Sequence, residues 1–170
     1  TNQVDKTNEI RINIDITPPT VAKPTGGTIW RGTEDEIITG VNAGSTITLI
    51  PSDNLSGVKE VQYILNNSAD APTNDAEWTT YDSATGITIN NEFDLGTYYI
   101  PTRAIDVAGN VGNVVTSEPY YVRQANYKIT TTTGTKYAEF LNEAGGIDGA
   151  TEIKVLRTFT DNVTATLNKD

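Results

Sequence analysis

The sequence predicts an all-β fold, an antiparallel β-sandwich of about seven strands. After Val21, short runs in which apolar and polar residues alternate are separated by turn residues, and this period of two is typical of half-buried strands. Residues 53–57 (DNLSG) and 106–110 (DVAGN) are turn sequences, because Asp and Asn bond their own backbone and Gly tolerates a positive φ. Between them, residues 94–98 (DLGTY) have the spacing of a tyrosine corner.

The tyrosine corner specifies the sandwich as immunoglobulin-like. In such a corner the Tyr98 hydroxyl bonds to the backbone a few residues upstream and fixes the crossover between two sheets. Ile100 stands where antibody-type domains have a cysteine, so a buried aliphatic side chain is expected to replace the disulfide. A chance occurrence of this short motif in an unrelated hairpin is the alternative. The strand pattern predicts a core that contains Ile47, Tyr63, Tyr98, Ile100 and Ala104.

The chain is expected to divide into four parts. Residues 1–16 end in a run with isoleucine at every second position, which is either the last strand of a preceding module or the first strand of the sandwich. Residues 17–20 contain two adjacent prolines and are predicted to be a stiff linker. Residues 21–123 form the predicted sandwich. Residues 124–170 are too few for a stable core of their own, so they are expected to pack on the sandwich, to pair with a neighbour, or to be a truncated domain.

The C-terminal segment is predicted to have the order β-α-β-β. Residues 127–129 resemble a strand and are followed by a threonine-rich turn that ends at Gly134. Residues 136–144 have apolar side chains at the spacing i, i+3, i+4, i+7, which predicts a helix that ends at a pair of glycines. Alternating apolar residues in 153–155 and 163–167 predict two further strands.

The composition argues against several classes of function. Asp and Glu outnumber Lys and Arg by 22 to 12, and the resulting net charge of −10 repels a phosphate backbone, so nucleic acid is not an expected partner. The chain has no histidine, no cysteine, no glycine-rich phosphate loop and no nucleophile elbow, so no catalytic residue is predicted and an enzyme is not expected. No apolar run reaches the roughly 18 residues of a membrane-spanning helix, so membrane insertion is not expected either.

These motifs resemble the bacterial immunoglobulin-like repeats of large secreted and cell-wall-associated surface proteins. The resemblance covers about residues 15–123 and is carried by DITPPT at 15–20, DNLSGV at 53–58, GTYYI at 96–100 and RAIDVAGN at 103–110. It implies extracellular tandem modules that act as spacers, display stalks or adhesion units. Residues 124–170 are similar to a segment that opens β-solenoid regions in such proteins.

The function that the resemblance implies is a non-catalytic spacer module that displays or positions the neighbouring domains of its own chain, a role that requires no cofactor. The alternative is an adhesin or another carbohydrate- or protein-binding module, whose partner would be a host protein or a glycan. Trp30, Trp78 and Tyr81 are its candidate ligand-binding residues, because flat aromatic side chains can stack on sugar rings. The structural alternative is that all three pack in the core or along a sheet edge.

Calcium binding is a separate hypothesis. In this fold the loops that contain Asp53 and Asp106 lie at the same end of the sandwich, and the incoming linker with Asp15 is expected to approach that end. Together with Asn54 and Asn110, these carboxylates form the oxygen-rich ligand set that calcium prefers. The simpler interpretation is that the Asp and Asn side chains bond their own turns without a metal ion.

Overall fold

The computed structural model describes residues 14–32, 46–71, 73–89, 93–142 and 147–160. The strands, in chain order, are β1 (Thr20–Val21), β2 (Gly27–Arg31), β3 (Pro51–Ser52), β4 (Val58–Tyr63), β5 (Thr79–Thr80), β6 (Gly96–Tyr98), β7 (Pro101–Asp106), β8 (Val115–Thr116), β9 (Tyr120–Gln124), β10 (Tyr127–Thr131), β11 (Gly134–Ala138) and β12 (Ala150–Val155). Within the described ranges the one helical element is a 3-10 turn, Asp75–Glu77. No helix in this part of the chain has the length and apolarity needed to cross a membrane.

Two sheets contribute to the larger core. One sheet has the order β5-β4-β7-β8 and is antiparallel throughout, and the other has the order β2-β9-β6. In the second sheet β9 pairs in parallel with β2 and antiparallel with β6. β1 and β3 form a separate two-stranded ribbon. One cluster of buried apolar side chains combines residues of both sheets with residues of β1 and of the segments between strands: Val21, Ile29, Ile47, Leu49, Val61, Ile87, Ile89, Tyr98, Ile100, Ala104, Tyr120 and Val122.

This architecture confirms the predicted all-β class and most of the predicted core. Ile47, Tyr98, Ile100 and Ala104 are all buried, and Ile100 has no exposed surface, in agreement with the expectation of a buried aliphatic side chain at this position. Tyr63 is only partly buried and packs against the cluster from its edge. A fully buried isoleucine side chain such as that of Ile100 contributes about 1.5–3 kcal/mol through the area that it removes from water.

The chain changes sheets immediately after Tyr98. β6 ends at Tyr98 in one sheet and β7 begins at Pro101 in the other, so residues 97–106, whose alternation alone would predict one strand, form two strands. The Tyr98 side chain is buried, and its hydroxyl donates a hydrogen bond to the backbone oxygen of Asp94 at 3.1 Å. This bond has the geometry predicted for the tyrosine corner, and it ties the end of β6 to the loop that precedes the strand.

Tyr98→Phe is expected to lower the free energy of unfolding by about 1–2 kcal/mol, because the substitution removes this hydrogen bond and nothing else. Urea denaturation measures the loss. Tyr121→Phe is the matched control, since Tyr121 is 45% exposed and the same atom is removed there at the surface. Equal stability of the two variants would show that the corner bond does not stabilise the crossover.

The proline-rich segment is packed against the sandwich. Pro19 is fully buried and Thr20 already belongs to β1, so the predicted boundary between linker and sandwich at residue 20 falls inside a strand. Gly112 lies so close that a Cβ at this position would be 2.2 Å from the carbonyl oxygen of Pro19. Of the isoleucine-rich run, only residues 14–16 are described and they are not part of a strand; residues 1–13 lie outside the described residues.

The C-terminal residues form a third sheet in the order β11-β10-β12, over a small cluster of Tyr127, Ile129 and Ala138. The helix predicted for residues 136–144 is wrong in its described part, because β11 occupies Gly134–Ala138 and residues 139–142 are bends and turns. All five residues of β11 pair with β10. The backbone hydrogen bonds of this pairing stabilise a strand more than the helical spacing of four apolar residues stabilises a helix. β12 confirms the strand predicted at 153–155, whereas residues 163–167 lie outside the described residues.

Candidate functional site

The turn after β3 is organised by the carboxylate of Asp53. Its Oδ2 accepts hydrogen bonds from the backbone N–H of Leu55 at 3.0 Å and of Gly57 at 2.7 Å. Gly57 has a φ of 87°, a conformation that favours glycine over every other residue. The predicted Asx-turn is therefore present, and it fixes the position of the Asp53 side chain.

The turn after β7 is organised in the same way by Asp106. Its Oδ1 accepts the backbone N–H of Asn110 at 2.7 Å, and its Oδ2 accepts the side-chain Nδ2 of Asn110 at 2.8 Å. Asp106 has no exposed surface, which is unusual for a carboxylate. The two bonds to Asn110 compensate for part of the hydration that this carboxylate lost on burial.

The incoming chain joins the two turns through Asp15. Asp15 Oδ2 accepts the backbone N–H of Ser56 at 2.9 Å, and Oδ1 accepts the N–H of Thr17 at 2.9 Å. The backbone oxygen of Asp15 accepts a further bond from Asn110 Nδ2 at 3.1 Å. Segments that are far apart in the sequence thus meet at one end of the sandwich, which we call the loop end and define by Asp15, residues 53–57 and residues 106–110.

The loop end concentrates negative charge. One carboxylate oxygen from each of Asp15, Asp53 and Asp106 lies within 4.8 Å of the others. Hydrogen bonds from Ser56 and from the Thr17 backbone lower the pKa of the Asp15 carboxyl, which keeps it ionised at neutral pH. Two like charges at about 4 Å repel by roughly 1–4 kcal/mol, depending on the local dielectric. The ion pairs found among the described residues, Lys23–Glu118 and Arg103–Asp75, include none of the three carboxylates.

One oxygen of this cluster has no hydrogen-bond partner. Asp53 Oδ1 is buried and unbonded, although the other oxygen of the same carboxylate accepts two backbone N–H groups. A buried unpaired carboxylate oxygen is costly unless a cation or a donor contacts it. Three carboxylates and one unpaired oxygen fit a hard divalent cation, and Asp15, Asp53 and Asp106 are the residues that could hold it.

The two asparagines of the calcium hypothesis have different positions. Asn110 uses its side-chain NH2 group as a donor to Asp106 and to the Asp15 backbone, so it bridges two of the carboxylate residues. Asn54 lies in the Asp53 turn but is exposed. Ser56 lies inside the DNLSG motif, but it was not predicted to be a site residue. In the structure its N–H donates to Asp15, and its hydroxyl accepts the N–H of Ala108 at 3.3 Å.

The three aromatic residues predicted to bind a ligand are half-buried and lie on two sheets. Trp30 belongs to β2, whereas Trp78 and Tyr81 flank β5 in the other sheet. The guanidinium of Arg103 covers the ring of Trp78 at 4.4 Å from its centroid. The hydroxyl of Tyr81 accepts the N–H of Leu49 at 3.2 Å, and its ring packs edge-on against Tyr63. These contacts give Trp78 and Tyr81 a packing role, in agreement with the structural alternative.

No family model matches the chain, and a search of curated proteins finds no match. The class that the fold and the site define is an all-β sandwich whose incoming segment is bonded to an acidic loop end.

Proposed function

We propose that this chain is a non-catalytic structural module of a multidomain extracellular bacterial surface protein, in which it holds the neighbouring domains in position. The observation that carries the proposal is the bonded entry of the chain into the sandwich. Asp15 is bonded to both turns of the loop end, and Pro19 is buried four residues later. An entry held in this way transmits the orientation of the sandwich to whatever precedes it in the chain.

The sandwich itself supports a load-bearing role. Its two sheets share one core, and the backbone groups of its strands are paired in ladders that resist extension. The motifs shared with bacterial surface repeats support the proposed location outside the cell. The absence of histidine and cysteine from the sequence supports a role without catalysis.

A calcium ion at the loop end belongs to the same proposal. Asp15, Asp53 and Asp106 would hold the ion, which would neutralise their mutual repulsion and contact the unpaired Asp53 Oδ1. Since Asp15 belongs to the incoming segment and the other two belong to the sandwich, the ion would stiffen the connection between them.

A second candidate function is protein binding by the same loop end, as in an adhesin. The observation in its favour is that Leu55 and Val107 of the loop end are exposed by 65% and 64%, and that Ile16, the residue next to Asp15, is exposed by 78%. Exposed apolar side chains in one region are typical of interaction surfaces. A structural module requires that the chain enter the sandwich in a fixed direction, whereas a binding module does not. This difference separates the two functions experimentally.

The test is the distance between the incoming segment and the sandwich, measured by double electron–electron resonance. The natural chain has no cysteine, so Thr17→Cys and Thr88→Cys place two spin labels at exposed sites without further changes. We expect one narrow distance distribution. Asp15→Ala combined with Asn110→Ala should broaden it, because the bonds to both turns are lost, while Asp70→Ala, an exposed acidic residue elsewhere, should not. A broad distribution in the otherwise unaltered chain would contradict the structural role and favour the adhesin.

A further inference from the structure

The sandwich continues into the C-terminal sheet through a buried two-residue joint. β9 ends at Gln124 and β10 begins at Tyr127, so only Ala125 and Asn126 connect them. Ala125 has no exposed surface and Asn126 is 5% exposed. Connections between units are usually exposed and flexible, and this one is neither exposed nor rich in Gly or Pro.

The first half of the joint is bonded to the sandwich. The N–H of Ala125 donates to the backbone oxygen of Arg31, the last residue of β2, at 3.0 Å. The side-chain Nε2 of Gln124 donates to the backbone oxygens of Arg31 at 2.9 Å, of Gly32 at 3.4 Å and of Ala125 at 3.3 Å. The side-chain amide of Gln124 is thus bonded both to the end of β2 and to the carbonyl group of Ala125 in the joint.

The second half of the joint is bonded to the C-terminal sheet. The backbone N–H of Asn126 donates to the backbone oxygen of Ala138 at 2.9 Å. The backbone oxygen of Asn126 accepts the N–H of Leu156 at 2.9 Å. Its side-chain Nδ2 donates to the oxygen of Glu139 at 2.8 Å. Asn126 therefore contacts the ends of both β11 and β12. Because Ala125 is bonded to the sandwich and Asn126 to the C-terminal sheet, and the peptide bond between them is planar, few backbone torsions remain by which the two units could reorient.

We propose that Gln124 and Asn126 are positioning residues that fix the direction in which the C-terminal sheet leaves the sandwich, so that the two units move as one rigid body. This inference deepens the proposed structural function and rests on it. The proposed function fixes the direction in which the chain enters the sandwich, and the inference adds that the direction in which the chain leaves the sandwich is fixed as well.

The hydrogen bonding of the Asn126 side chain is incomplete. Its Oδ1 is buried and has no hydrogen-bond partner, so the residue contributes less to stability than a fully bonded amide would. An apolar side chain of similar size would avoid this cost but would lose the Nδ2 bond to Glu139. Orientation and stability are therefore expected to respond differently to substitution at this position.

The test is the distance between spin labels at Thr88→Cys in the sandwich and Thr132→Cys in the turn between β10 and β11, both exposed sites. We expect a narrow distribution. Gln124→Glu should broaden it roughly twofold, because a carboxylate offers acceptors where the amide donates to three carbonyl oxygens. Asn126→Leu should also broaden it without lowering the urea midpoint. Asn113→Asp is the control for a charge change at an exposed amide, and a Gly-Ser-Gly insertion after Ala125 gives the width of a flexible joint.

Two outcomes would overturn the inference. The first is a distribution in the otherwise unaltered chain as broad as that of the insertion variant. The second is a distribution that stays narrow in both Gln124→Glu and Asn126→Leu. Should Gln124→Glu not fold, Gln124→Ala removes the same donor without adding a charge. The Thr17–Thr88 distance reports on the incoming segment alone, so failure at the exit is distinguishable from failure of the proposed function.

Discussion

Gly112→Ala is expected to lower the free energy of unfolding by about 1–3 kcal/mol, although it adds a single methyl group. The new Cβ would lie 2.2 Å from the carbonyl oxygen of Pro19 and 3.4 Å from that of Ala104. A backbone oxygen cannot rotate away as the end of a side chain can. Because Pro19 is fully buried and Thr20 begins β1, the incoming segment must move, and β1 must move with it. Urea denaturation measures the effect.

The matched control for this prediction is Asn113→Ala. Asn113 is the next residue along the chain and is exposed, so its truncation leaves the contact with Pro19 intact. Its stability should stay within about 0.5 kcal/mol of the natural chain. If Gly112→Ala is as stable as this control, the incoming segment relaxes at no cost, and its packing does not hold it in place.

Calcium is expected to raise the thermal stability of the protein. A ligand that binds only the folded state adds about 2.7 kcal/mol when its free concentration is about 100 times Kd, and for a chain of this length that shifts Tm by about 5–10 °C. The physical reason is the loop end, where three carboxylate oxygens lie within 4.8 Å of one another and Asp53 Oδ1 has no partner. Thermal denaturation with millimolar calcium, compared with the same buffer containing a chelator, measures the shift.

Asp53→Asn tests the assignment of the site. The substitution retains an oxygen that can accept the Gly57 N–H but removes one of three like charges. Without calcium, Asp53→Asn should therefore be at least as stable as the natural chain, and with calcium it should gain much less. Asp70→Asn, at an exposed acidic residue outside the loop end, should retain the full shift. A calcium shift that survives Asp53→Asn, or that is missing from the natural chain, would rule out this site.

The sandwich could be predicted because its signals are local and agree with one another. Alternation identified β4 around Val61 and the burial of Ile47, and the spacing of Asp94 to Tyr98 identified the crossover between the sheets. That residues 97–106 form two strands, one on each side of this crossover, was not predicted, because the alternation continues through Tyr98 without a break. Which sheet a residue joins depends on long-range pairing, which a period of two does not encode.

The C-terminal helix was wrong for a related physical reason. Tyr137, Phe140 and Leu141 have helical spacing, but β10 offers β11 a complete ladder of backbone partners. In a segment this short the pairing decides, since an isolated helix of nine or so residues is marginal in water.

The loop end was partly predictable. That Asp15, Asp53 and Asp106 meet follows from the topology of the fold and from the incoming direction of the linker. The unpaired Asp53 Oδ1 and the close approach of Gly112 to Pro19 could not be foreseen, because each depends on atomic positions that turn motifs leave open. The joint at Gln124 and Asn126 had no sequence signal at all, since amide side chains are common at strand ends and in short connections.

The parallel pairing of β2 with β9 has a mechanical consequence. These are five-residue strands in register from Gly27↔Tyr120 to Arg31↔Gln124, one near the start of the sandwich and one at its end. Tension applied through the two ends of the chain pulls such strands along their length in opposite directions, so the bonds between them are loaded in shear and must rupture together. An antiparallel hairpin at the same place would unzip one bond at a time under far less force.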